Sequence, residues 1–168
     1  MWMTTLLCAA LLLFQANQNQ AIYVGFDGFK FDMTIEEAVT IVEDYEIKTP
    51  QTSRLDSLAF ANFGFSKSIT YSTTIYDLPV GVIVSFDKKT ELLRHIFILI
   101  DVETDCDEKF TFIHNALISK YGKESGSEKG NPYWIFNGGL VIEMSNFCVN
   151  VEGVMDGVGV TYKKTKGL

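Results

Sequence analysis

From residue 58 to residue 102 apolar and polar positions alternate. Ile69, Tyr71, Thr73 and Ile75 take every second place, with Thr70, Ser72 and Thr74 between them. Val80, Val82, Val84 and Phe86 repeat the pattern, and Asp87-Lys88-Lys89-Thr90 follows as a polar turn. A period of two puts one set of side chains on one face of a sheet, so these runs predict strands. In a third run Ile96, Ile98, Ile100 and Val102 line one face, while His95, Phe97, Leu99 and Asp101 line the other. A strand apolar on both faces is expected at the centre of a sheet, covered on both sides.

Two segments keep the helical period instead. Thr34 and Glu37 form a capping box, followed by the stripe Ile35, Ala38, Val39, Val42 and Tyr45 and closed by Pro50. A second helix is expected from about Cys106 to Tyr121. Asp105 and Glu108 stand at N-cap and N3, Phe110, Ile113, Leu117 and Tyr121 make the stripe, and Gly122 makes the stop. Residues 123–131 are polar and read as a loop. Tyr133 to Phe136 and Leu140 to Ile142 face each other across Asn137-Gly138-Gly139, a hairpin signal. Leu140, Ile142 and Met144 are even-numbered, but Phe147, Val149 and Val151 are odd. That change of phase predicts a bulge or tight turn near Ser145-Asn146. Asp156-Gly157 then turns into Val158, Val160 and Tyr162, and Lys163, Lys164 and Lys166 read as a basic tail.

The order helix, strands, helix, strands predicts an α+β fold. It consists of two helix-then-antiparallel-hairpin halves (22–104 and 105–168), with the helices packed on one face of a shared or continuous antiparallel sheet. Residues 22–168 are expected to be one domain.

Ahead of it, Leu6 to Phe14 is an uncharged apolar run far shorter than the roughly 20 residues that span a bilayer. It fits the core of a secretory signal, with cleavage expected near Ala21. Cys8 lies inside that run behind Leu7, which argues against a lipid anchor there. The product is expected to be periplasmic or secreted, with no membrane span. It would keep the whole formal charge of −7, because residues 1–21 carry no charged side chain. Cys106 and Cys148 then remain, and in an oxidising compartment an even pair reads as one disulfide.

The layout resembles two related kinds of small exported bacterial domain. One is the β-lactamase-inhibitor-like fold, and the other is the small domain of outer-membrane-assembly lipoproteins of the SmpA/OmlA type. Phe31-Asp32-Met33-Thr34-Ile35-Glu36-Glu37 before a helix carries the resemblance, with Phe86-Asp87, Leu92-Leu93 and Lys120-Tyr121-Gly122. Asp32 stands where such domains have Gly, and a lipidated Cys is missing. The resemblance implies a non-catalytic, protein-binding role and assigns no residue a function.

Charge and candidate chemistry narrow the function. With 14 basic and 21 acidic residues and a pI near 4.8, the chain is a poor nucleic-acid binder and suits neutral or basic protein partners. The densest acidic run holds Asp101, Glu103, Asp105, Asp107 and Glu108. As a calcium loop starting at Asp101 it fails, since Cys106 stands where Gly is needed and Phe112 where Glu is needed. Asp101, Glu103 and Asp107 are instead the expected acidic binding patch. His95 and His114 lack zinc spacing and read as structural imidazoles. No phosphate loop and no Gly-x-Ser-x-Gly elbow occurs, so no cofactor and no metal are implied. Aromatics make up 13% of the chain, and a few on an outer sheet face would suit a protein interface. The expected function is a non-catalytic exported binding protein, in its most concrete form a periplasmic inhibitor or immunity-type protein. An envelope-assembly accessory factor and a small carboxylate-dependent hydrolase are the alternatives.

Overall fold

A computed structural model describes residues 25–48, 64–101, 105–148 and 157–165. The expected leader at 1–21, Glu103 and Asp156 lie outside them. The described elements are β1 (Gly25–Phe26), β2 (Phe29–Lys30), α1 (Ile35–Ala38), β3 (Glu46–Lys48), β4 (Phe65–Ile75), β5 (Leu78–Asp87), β6 (Leu93–Asp101), α2 (Cys106–Tyr121), β7 (Gly126–Glu128), β8 (Asn131–Phe136), β9 (Leu140–Asn146) and β10 (Gly157–Lys164). β1 and β2 form a small hairpin. The other eight strands make one antiparallel sheet in the order β3-β4-β5-β6-β10-β9-β8-β7.

This corrects the expectation of an α+β fold in two helix-then-hairpin halves. The described protein is mostly β, and its one long helix lies on a single large sheet. The last strand, β10, enters between β6 and β9 and joins the strands before α2 to those after it. Its Lys163 and Lys164 are strand residues, not a tail. The first predicted helix shrinks to α1. Its capping box forms as expected, with Glu37 N donating to Thr34 Oγ1 at 3.3 Å and Thr34 N donating to Glu37 Oε2 at 2.8 Å. But Val39-Thr40-Ile41-Val42 is a run of β-branched residues, which crowd a helix at χ1. The chain turns there, and Glu46–Lys48 pairs with Ser68–Thr70 of β4.

Helix α2 spans the expected residues. Its start differs, because Asp105 sits at φ 57° and makes no side-chain cap. At its end the Gly122 N–H donates to Ile118 O at 2.8 Å, and Trp134 Nε1 on β8 donates to Gly122 O at 2.8 Å. The expected loop at 123–131 contains β7, which pairs with β8.

The core fills the space between α2 and the sheet. Val82 and Val84 of β5, Ile96 and Ile98 of β6, Val158 and Val160 of β10, and Ile142 and Met144 of β9 are buried on that side with Ile113 and Leu117 of α2. β1, β2 and α1 extend this layer, with the Phe29 ring 5.7 Å from Tyr71. The β4–β5 turn is two residues, Tyr76 and Asp77, at φ 50° and 64°. That is the mirror-image turn whose twist matches a hairpin, although its left-handed positions favour Gly or Asn. Asp87, at the end of β5, accepts from the N–H groups of Lys89 (2.9 Å) and Thr90 (3.0 Å), which fixes the next turn. Cys106 and Cys148 stand at disulfide distance, Cα atoms 5.5 Å apart, which sets the first turn of α2 beside the residues just after β9. Among the described residues no helix is long and apolar enough to cross a membrane.

Candidate binding face

Pairing registers fix what shares the other face of the sheet. Across β4, β5, β6, β10 and β9, one row runs Thr70, Ile83, Phe97, Thr161, Glu143. The next runs Ser72, Gly81, Leu99, Gly159, Ser145. Neither α1 nor α2 lies on this side. Sequence alternation predicts β6 central and covered on both sides. It is central, but Phe97 and Leu99 are only half-buried and Ile83 is 38% exposed.

The apolar phase change in β9 has a different cause from the one expected. β9 pairs with β10 in unbroken register from Leu140 to Asn146, so no residue slips. Phe147 simply continues the odd-numbered, open face, and its ring lies beside Phe97 over Gly159. Cys148 falls on the even-numbered side, where Cys106 waits. Val149 and Val151, the rest of the odd-numbered run, lie outside the described residues.

A groove of about 570 Å³ crosses this face. Its floor is Gly81, where a Cβ would meet nothing within 4 Å. Ile83, Phe97 and Leu99 line it, and Asp44, Tyr45 and Glu46 form its acidic rim. Ile135 on β8 (54% exposed) and Phe147 (40%) continue the apolar surface. At one end of the face, a third row sets His95 of β6 between Ser85 of β5 and Lys163 of β10. Lys163 Nζ bonds Glu143 Oε2 at 2.5 Å, and the Phe65 ring lies 5.3 Å from the imidazole. Burial, then the Lys163 ammonium, brings the His95 pKa down to about 4, with Glu143 pulling weakly the other way. At neutral pH the imidazole is uncharged, and this end of the face carries one internally paired Lys–Glu couple.

The described residues of the acidic patch expected from the sequence lie near the β6 end and the start of α2. Asp101 closes β6, opposite Gly157, and Asp107 is exposed in the first turn of α2. Glu103 is outside the described residues. His114 sits on α2 between Phe110 (6.3 Å) and Trp134 (5.9 Å), a packed ring. Among the described residues no three His, Cys, Asp or Glu side chains converge as a metal site. Sequence reasoning missed Asp44 and Glu46, because they lie just before and at the start of a three-residue strand with no readable period. Two signals pointed to the groove: Gly81 inside an otherwise bulky strand, and the phase change at Phe147.

Fold and face together define a mostly-β protein with one helix-covered sheet face and one open face with an apolar centre. The chain matches no family model, no curated protein and no solved structure.

Proposed function

We propose that this chain is an exported, non-catalytic binding protein that engages another protein on its open sheet face. In its most concrete form it is an inhibitor or immunity-type protein. One observation carries the reading: the groove over Gly81, apolar through Ile83, Phe97 and Leu99, is edged by the Asp44 and Glu46 carboxylates. Aromatic and aliphatic side chains around a recess are what interface centres are made of, and charge at the rim steers the partner in. An acidic rim on a chain of net charge −7 selects a partner whose inserted segment is apolar at its tip and basic at its flanks.

Photo-crosslinking residues placed at Ile83 and, separately, at Phe112 on the outer side of α2 test this in exported-protein extracts. The Ile83 position should trap a basic protein that rebinds when purified and is lost with Phe97→Glu or at high salt. Equal trapping from Phe112, or rebinding indifferent to Phe97→Glu in a folded variant, would overturn the proposal.

A further inference from the structure

The opposite side of the sheet contains a second recess, unrelated to the open face. Where α2 lies over β6 and β10, the core leaves a cavity of about 100 Å³. Ile98, Ile113, Leu117 and Val160 wall it, and Ala116 is the small residue on the helix side. Protein cores are packed to crystal density, and a dry cavity of roughly 150 Å³ takes up a benzene-sized guest. A half-open space of similar order, lined this way, fits a short alkyl chain of about four to six carbons.

Its polar lining residues are few. Lys120, Tyr76 and Tyr162 line the cavity, and among the described residues Lys120 is its one charged group. Lys120 Nζ is held 5.0 Å from the centre of the Tyr121 ring. Tyr121 Oη is buried near the Tyr162 phenol without a well-formed hydrogen bond. Burial first, then Tyr121 and Tyr76, raises the Tyr162 pKa above its ordinary range, so its hydroxyl remains a donor. Tyr76 reaches the rim from a left-handed turn position that disfavours a bulky side chain, and its ring packs edge-on against Phe112 at 5.5 Å. An apolar pocket with a few convergent polar groups is the usual form of a small-molecule site.

We infer that this cavity binds a small amphiphilic carboxylate, its alkyl tail between α2 and β6–β10 and its head against Lys120 and the tyrosine hydroxyls. The test is titration of the protein with hexanoate, followed by the NMR methyl resonances of Ile98, Ile113 and Leu117. Hexan-1-ol serves as the uncharged tail and acetate as the head alone. Hexanoate should shift those methyls saturably, acetate should not, and hexan-1-ol should bind at least about fivefold more weakly, as loss of one charge-assisted contact predicts. Lys120→Gln should erase the preference for hexanoate over the alcohol, and Ala116→Leu should abolish both by filling the space. Lys120 is exposed, so its variant reads out even if Ala116→Leu fails to fold. No saturable shift, equal binding of the alcohol, or an unchanged preference in Lys120→Gln overturns the inference.

Discussion

His95 shows how one residue's surroundings set a property of the whole chain. Unfolded, its imidazole titrates near 6.5, and in the fold near 4, from burial and then Lys163. Between those values the unfolded chain holds a proton that the folded chain does not. Stability therefore falls as pH drops from about 6.5 toward about 4, by on the order of 3 kcal/mol in all. Urea unfolding at pH 7 and pH 4.5 should show a smaller loss for His95→Gln than for the natural protein; parallel losses would show that other groups govern the acid limb. Two glycines make a second contrast. A Cβ on Gly157 would meet Ile100 O at 2.6 Å, whereas one on Gly81 meets nothing. Gly157→Ala should cost about 1–3 kcal/mol by overpacking against backbone, and Gly81→Ala should lie within about 0.5 kcal/mol of neutral. Comparative thermal melts decide. What a Cβ would meet at either glycine could not be read from the sequence, because it depends on which strand lies alongside.

Among the elements, α2 was legible almost to the residue. Its stripe of Ile113, Leu117 and Tyr121 is long enough to outweigh noise, and Gly122 stops it. The long strands were legible for the same reason, and so was the Asn137-Gly138-Gly139 hairpin. α1 was over-read, since apolar residues at helical spacing also suit a β-branched turn that leads into an edge strand. β3 and β7, at three residues each, have no period to detect. Strand order was hidden entirely: β10 beside β6 is a pairing across more than fifty residues of chain. The Cys106–Cys148 pairing was legible from parity alone, and the structure supplies the geometry. A cross-link spanning a separation of 42 residues should contribute about 2–4 kcal/mol. Cys106→Ser with Cys148→Ser should lower the urea midpoint accordingly. Thiol titration of the unfolded, unreduced protein should find neither cysteine free, and reactive thiols at both positions would refute the bond.

At the scale of the molecule, charge and shape act together. The chain carries −7, and the groove rim holds Asp44 and Glu46. Association with a basic partner should slow as ionic strength rises to physiological values, because exposed charges are screened beyond about 8–10 Å. Neutralising Asp44 and Glu46 should slow it more per charge than neutralising Asp101, Glu103 and Asp107; stopped-flow rates across a salt series compare the two sets. The three-residue strands at the ends of the sheet have a consequence of another kind. Among the described residues β3 covers β4 at Ser68–Thr70, and that patch lies in the middle of an eleven-residue strand. The longest stretch of β4 that β3 leaves unpaired on that side is Tyr71–Ile75, shorter than the run of about six residues that cross-β stacking requires. Glu46 adds charge to the patch, a further deterrent to edge-to-edge growth. This short strand thus acts as a guard against fibrils. Ile47→Pro, which would unseat it, should turn a protein that stays clear on prolonged shaking into one that seeds thioflavin-positive filaments while still folded.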